Sequence, residues 1–164
     1  HGGSKRYWLK KASVDDFTDP SVTKTINFEM ENGLFNEERW ASYSSKVFSI
    51  LSDLKNWLDE GKSDGKRIYG YGAAAKASTI LNFSGIDPDL IIAIADVSLE
   101  KQQRFMPPHG IEIISPQELF AAEPTDILIF PWNIKSEIAK YLQSNLSNKT
   151  HLWVAIPKMQ EIQT

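Results

Sequence analysis

A chain of 164 residues with 41% hydrophobic content is long enough to bury a core without crosslinks. Its 18 Lys and Arg against 21 Asp and Glu leave a formal net charge of −3, which excludes the broad electropositive surface that DNA or RNA binding needs. No cysteine occurs, so disulfides and thiolate metal sites are excluded, and His1, His109 and His151 show no i, i+4 pairing of the kind a metal site uses.

The chain opens HGGSKRYWLKK, with a strand-like stretch from Lys5 to Lys10. Residues 12–36 are rich in Asp, Thr, Ser and Asn and read as a loop or irregular connector, so 1–35 is expected to be an interdomain strand and connector. From Asn36, a suitable N-cap, a long amphipathic helix is expected over 36–61. Trp40, Val47, Ile50, Leu51, Leu54, Trp57 and Leu58 lie near one stripe of it, and Gly61 and Gly65 are expected to end it. That stripe suits packing on a sheet better than lying on a membrane. No apolar run reaches the roughly 18 residues that span a bilayer and no signal peptide opens the chain, so a soluble, cytoplasmic protein is the expectation.

Beyond Gly65, apolar runs of strand length alternate with helical stretches, the mark of parallel βαβ architecture. Strands are expected at 67–71, 90–95, 111–114, 126–130 and 152–156, with helices near 74–83, 116–121 and 134–145. The fold class is therefore α/β: a Rossmann-like, doubly wound, mainly parallel sheet of five strands over 66–157, preceded by the long helix and followed by a tail over 158–164. Right-handed crossovers place all strand C-termini on one edge, where open α/β sheets bind ligands.

The candidate site residues converge on that edge. Gly70, Gly72 and Ala75 only approach the dinucleotide fingerprint G-x-G-x-x-G. Two readings of the turn stand: a phosphate held by the N–H groups of Gly72, Ala73 and Ala74 with Lys76, or a well-packed strand-to-helix turn. Asp96 ends the second strand, suited either to a ribose or sugar hydroxyl or to an Asx turn. Lys101 and Arg104, three apart on an expected short helix, suit either a diphosphate or solvated surface charge. Trp132 suits stacking on a base or burial in the core, and Asn133 a ligand contact or the N-cap of the next helix. His109, in the loop PPHG, has no orienting carboxylate in the pattern that would make it a proton carrier.

The run YGAAAKASTILNF, then DVSLEKQQRFMP, SPQEL and FPWN, resembles in order the motifs of the C-terminal domain of sugar-nucleotide C-methyltransferases. That family typically shows YGAPAKGNTLLN-like, D-x-N-P-x-K-Q-G-R-x-x-P-like, S-P-E-x-L and A-W-N-like segments. This chain departs from them at Ala74 in place of proline, at Ala77 and Ser78 in place of Gly-Asn, and at Gln103 in place of glycine. The resemblance runs from about Gly2 to Pro157 and includes H-G-G-S-x-R, which supports a native His1 over a tag remnant. It implies a parent enzyme whose upstream domain binds S-adenosylmethionine, with a cysteine-bearing zinc module before it. It implies that the present domain clasps a nucleoside-diphosphate keto-deoxysugar, binds no cofactor of its own, and is inactive alone. Two other readings stay open on the residues themselves: a stand-alone dinucleotide- or coenzyme A-binding regulatory module, and a degenerate Rossmann-like scaffold for dimerisation.

Overall fold

The computed structural model describes residues 5–11, 18–146 and 149–163, which fall into two compact units, one ending at Val47 and one beginning at Phe48. The H-G-G-S opening and residues 12–17 of the expected connector lie outside the described residues.

In the first unit, residues 5–11 pair with no strand, contrary to the strand expected over Lys5–Lys10; Lys5 instead reaches Glu29 at 2.9 Å. The expected irregular connector is also corrected, because Pro20–Glu31 is a helix, α1. Asp19 caps it by accepting the Ser21 N–H at 2.8 Å, and Pro20 fills the first turn, where its missing N–H has no helical partner to lose. None of its residues is buried.

The long helix α2 is Glu37–Ser63, and Asn36 caps it as expected, its Oδ1 accepting the Arg39 N–H at 3.1 Å. It crosses from the first unit into the second. The expected apolar stripe is buried only from Leu51 onward, through Leu54 and Leu58, whereas Trp40 is 48% exposed. Gly61 does not end the helix: it sits inside it, buried, where a Cβ would come within 2.5 Å of Ile68 Cδ1. Glycine there allows close approach to the sheet and marks no turn. The chain leaves the helix at Gly65, whose φ of +71° is the left-handed conformation that favours glycine.

The second unit holds one sheet of seven strands: β1 (Ile68–Tyr71), β2 (Ile94–Ala95), β3 (Arg104–Met106), β4 (Ile111–Ile114), β5 (Asp126–Ile129), β6 (His151–Val154) and β7 (Gln160–Glu161). Helices α3 (Ala75–Ser84), α4 (Pro116–Ala121) and α5 (Lys135–Gln143) connect them. The order is β3-β4-β2-β1-β5-β6-β7, with β4, β2, β1, β5 and β6 parallel. These are the five expected strands. The two extra ones, β3 and β7, pair antiparallel at the edges, so the expected tail over 158–164 contributes a strand.

One face of the sheet, through Tyr69, Tyr71, Ile127, Ile129, Leu152 and Val154, packs with Leu119 of α4 and Ile138, Ala139 and Leu142 of α5. The opposite face meets α2, whose Trp57 ring lies 5.2 Å from that of Trp153 on β6. There Trp153 Nε1 donates to the buried Asp126 carboxylate at 2.8 Å. Helices on both faces make the sheet doubly wound, as periodicity predicts. From β1 the chain first proceeds outward to β2 and β4, then returns to β5 beside β1. The direction of winding therefore reverses between β1 and β5, which is where such sheets open a crevice for ligands.

Candidate functional site

The crevice begins with two backbone constraints. Gly72 leaves β1 at φ +93°, and a Cβ there would lie 2.5 Å from both Cδ and Cγ of Pro131, which leaves β5. Only glycine lets the two strand ends approach this closely. Its N–H donates to Ala95 O at 2.7 Å, and the Ala74 N–H donates to Gly72 O at 2.9 Å. Two of the three amides expected to cradle a phosphate are thus spent inside the fold, which corrects that part of the expected geometry.

The side chains do converge. Lys76 in the first turn of α3 donates from Nζ to Asn133 Oδ1, and the same ammonium stands 4.6 Å from the ring centre of Trp132. A lysine at a helix N-terminus is disfavoured by the macrodipole, and contact with an aromatic face and an amide oxygen offsets that cost. Asn133 is not the N-cap that the sequence suggests. Residues Trp132–Ile134 form a 3-10 turn, α5 begins after Ile134, and the Asn133 side chain turns to Lys76 instead. Trp132 is half-buried and packed against the core.

Beside this trio, at the end of β2, Asp96 is 7% exposed and its polar atoms are engaged. Oδ1 accepts the Ser98 N–H at 2.9 Å, Oδ2 the Lys101 ammonium at 3.1 Å, and its backbone oxygen Gln102 Nε2 at 2.9 Å. The Asx turn expected as one alternative is therefore present. The short helix expected to carry Lys101 and Arg104 is absent: residues 99–103 turn, and Arg104 opens β3 opposite Ile113. Lys101 faces Asp96, whereas Arg104 is exposed on an edge strand three positions from β1, about 14 Å away at the usual strand spacing. Lys101 and Arg104 therefore do not share the helix face expected of them. His109 precedes the N-terminal end of β4, the edge opposite the crevice, and its loop is tied to α3 by Ser78 Oγ donating to Pro107 O at 3.0 Å.

Tyr71, the last residue of β1 before the crevice, is assigned by sequence reasoning only to the strand. Its ring lies 6.3 Å from that of Tyr141, and burial pushes its phenol up to about 12, with Tyr141 and Asp96 adding to the shift. The hydroxyl is therefore a neutral donor at physiological pH. The signal available in the sequence is position alone, since Tyr71 is the last strand residue before the glycine turn. Among the described residues no cluster of His, Asp and Glu fit to hold a metal ion is found. Among them, too, no helix is long and apolar enough to cross a membrane.

Two comparisons bear on this arrangement. Residues 1–157 match the family model described as the C-methyltransferase C-terminal domain. The chain is also similar to the C-methyltransferase NovU of Streptomyces niveus, 26% identical over 162 residues. That match covers 99% of this chain but 39% of NovU, so the chain spans well under half the length of the curated relative it matches. With the family model matched over nearly its whole length, and with the motifs of that family lying at the ends of β1, β2, β4 and β5, this chain belongs to the C-methyltransferase C-terminal domain family.

Proposed function

We propose that this domain holds the nucleoside-diphosphate part of a keto-deoxysugar for an S-adenosylmethionine-dependent C-methyltransferase of which it forms one part. The observation that carries the reading is the Lys76, Asn133 and Trp132 trio at the β1/β5 crevice, a cation and an aromatic face oriented together at the edge where open sheets bind ligands. Lys76 supplies charge for a diphosphate, Trp132 a surface for a base or sugar ring, and Asn133 fixes the lysine between them. Gly72, Ala73 and Ala74 shape the wall by close approach of the backbone. Tyr71, Asp96 and Lys101 form the neighbouring wall, and Arg104 contributes at longer range.

In the parent reaction the methyl donor would be held outside this chain, and its activated methyl group supplies the electrophile. Removing a proton beside the sugar ketone leaves an enolate whose carbon takes that methyl group, while the proton passes to a base expected outside this chain as well. The contribution of the present residues is to fix the sugar by its diphosphate and to exclude water from one side of it. Alone, the domain is expected to be inactive.

A dinucleotide module is the second reading, and one observation weighs against it. Both Asp96 carboxylate oxygens already have partners, leaving the usual ribose contact occupied. Calorimetric titration with a thymidine diphosphate sugar, S-adenosylmethionine and NAD at low salt separates the readings. Binding of the nucleotide-sugar alone is expected. The Lys76→Met variant should bind it roughly ten- to a hundredfold more weakly, the worth of a hydrogen bond to a charged group. NAD-selective binding would move the domain to the second reading, and unchanged affinity in the variant would remove Lys76 from the site.

A further inference from the structure

Two strands flank β1 at the crevice, and the chain leaving each of them fixes a lysine. On the β5 side, Asn133 holds the Lys76 ammonium beside the Trp132 ring. On the β2 side, Asp96 holds the Lys101 ammonium, Oδ2 to Nζ at 3.1 Å. Between them lies the Gly72 turn, whose N–H donates to Ala95 O at 2.7 Å and so draws the turn against the end of β2. Because β2 and β5 both pair with β1, their ends stand about 10 Å apart at the usual strand spacing. All of these contacts lie inside the second unit.

Lys101 is held by more than its ion pair. Its N–H and that of Gln102 both donate to Ser98 O, at 3.0 and 3.3 Å, and the Gln103 N–H donates to Ile113 O at 2.9 Å, which closes the segment back onto β4. Asp96 organises the same segment, since Oδ1 takes the Ser98 N–H and its carbonyl oxygen takes Gln102 Nε2. A carboxylate only 7% exposed beside an anion site repels the anion unless a cation neutralises it. An ammonium has three donors and the ion pair uses one, so Lys101 can hold a phosphate oxygen while it neutralises Asp96.

Resting on the reading that the crevice holds a nucleoside-diphosphate sugar, we propose that Lys101 is the second cation of the phosphate site. The diphosphate lies across the Gly72 turn, one phosphate at Lys76 and the other at Lys101. Asp96 is a positioning residue: it holds Lys101 over the end of β2 and does not itself touch the ligand.

Calorimetric titration of the full chain at low salt with thymidine diphosphate and thymidine monophosphate tests this. The parent is expected to bind the diphosphate at least about tenfold more tightly, the worth of one further hydrogen bond between charged groups. Lys101→Met should bring the diphosphate down to the monophosphate's affinity, and should leave the monophosphate, which Lys76 still holds, within about threefold of the parent. Asp96→Asn keeps an oxygen for the Ser98 N–H and removes the charge that faces Lys101. It should weaken the diphosphate by about three- to tenfold, spare the monophosphate, and have no further effect in the Lys101→Met background. If Asp96→Asn does not fold, Asp96→Ser, whose hydroxyl can accept the same N–H, replaces it. Weaker binding of both nucleotides by the Asp96 variant, or a loss that persists without Lys101, overturns the positioning role, and so does unchanged or tighter binding of the diphosphate. An undiminished preference for the diphosphate in Lys101→Met overturns the second cation. Binding of neither nucleotide, or binding indifferent to Lys76→Met, overturns the crevice reading and this proposal together, whereas binding that needs Lys76 but ignores Lys101 overturns this proposal alone.

Discussion

At the scale of single residues, two backbone positions carry opposite lessons. Gly72 combines φ +93° with a Cβ position 2.5 Å from two Pro131 atoms. The Gly72→Ala variant therefore meets strain and overlap together and should lose about 2–4 kcal/mol in urea denaturation. A loss under 1 kcal/mol would mean that the β5 end yields and that the crevice is not held by this contact. Gln103 is the converse: it adopts φ +60°, at a position where the family pattern has glycine. A non-glycine residue in that conformation costs ~1–2 kcal/mol, against ~0.5–1 for the extra unfolded freedom of glycine. Gln103→Gly is thus expected to stabilise the protein by about 0.5–1 kcal/mol, seen as a higher urea midpoint at unchanged slope. A lower midpoint would show that the Gln103 side chain contributes more than its backbone costs.

Among the elements, α2 differs in burial along its length. Leu54 is fully buried, and Leu54→Ala should cost about 2–5 kcal/mol, whereas Met30→Ala on α1 should change this chain by less than about 0.5. Comparable losses at both positions would contradict the exposure that separates them. The same contrast explains what was legible in the sequence. The parallel strands and α3, α4 and α5 are legible because both faces of such a sheet are buried, so strands appear as continuous apolar runs between turn residues. Edge strands β3 and β7 are not, because Arg104–Met106 and Gln160–Glu161 are too short and too exposed to leave a pattern. Helix α1 offers a real signal, Asp19 followed by Pro20, but its polar, unburied composition reads as a connector. The site is legible in part for a similar reason. Strand ends can be located by pattern, so Lys76, Trp132 and Asn133 fall together. The partners that occupy Asp96, and the turn that carries Arg104 away, depend on local backbone geometry that residue type does not encode.

For the whole molecule, the high pH limb of the stability curve should report on the end of β1. Tyr71, with its phenol pushed up to about 12, holds its proton more tightly folded than unfolded, where a phenol titrates near 10. Its contribution is fully present below pH 10, because the phenol is then neutral in both states. Above pH 10 the unfolded chain ionises freely while the folded one resists, so stability falls as pH rises from 10 to 12. Lysine deprotonation occurs in the same range, which makes the Tyr71→Phe comparison necessary. The variant keeps the ring contact with Tyr141 and lacks the titrating group, so its loss of stability between pH 10 and 12 should be shallower than that of the parent. Parallel curves would mean that the phenol ionises as readily in the fold as out of it, and that the crevice beside Asp96 is wetter than its packing implies.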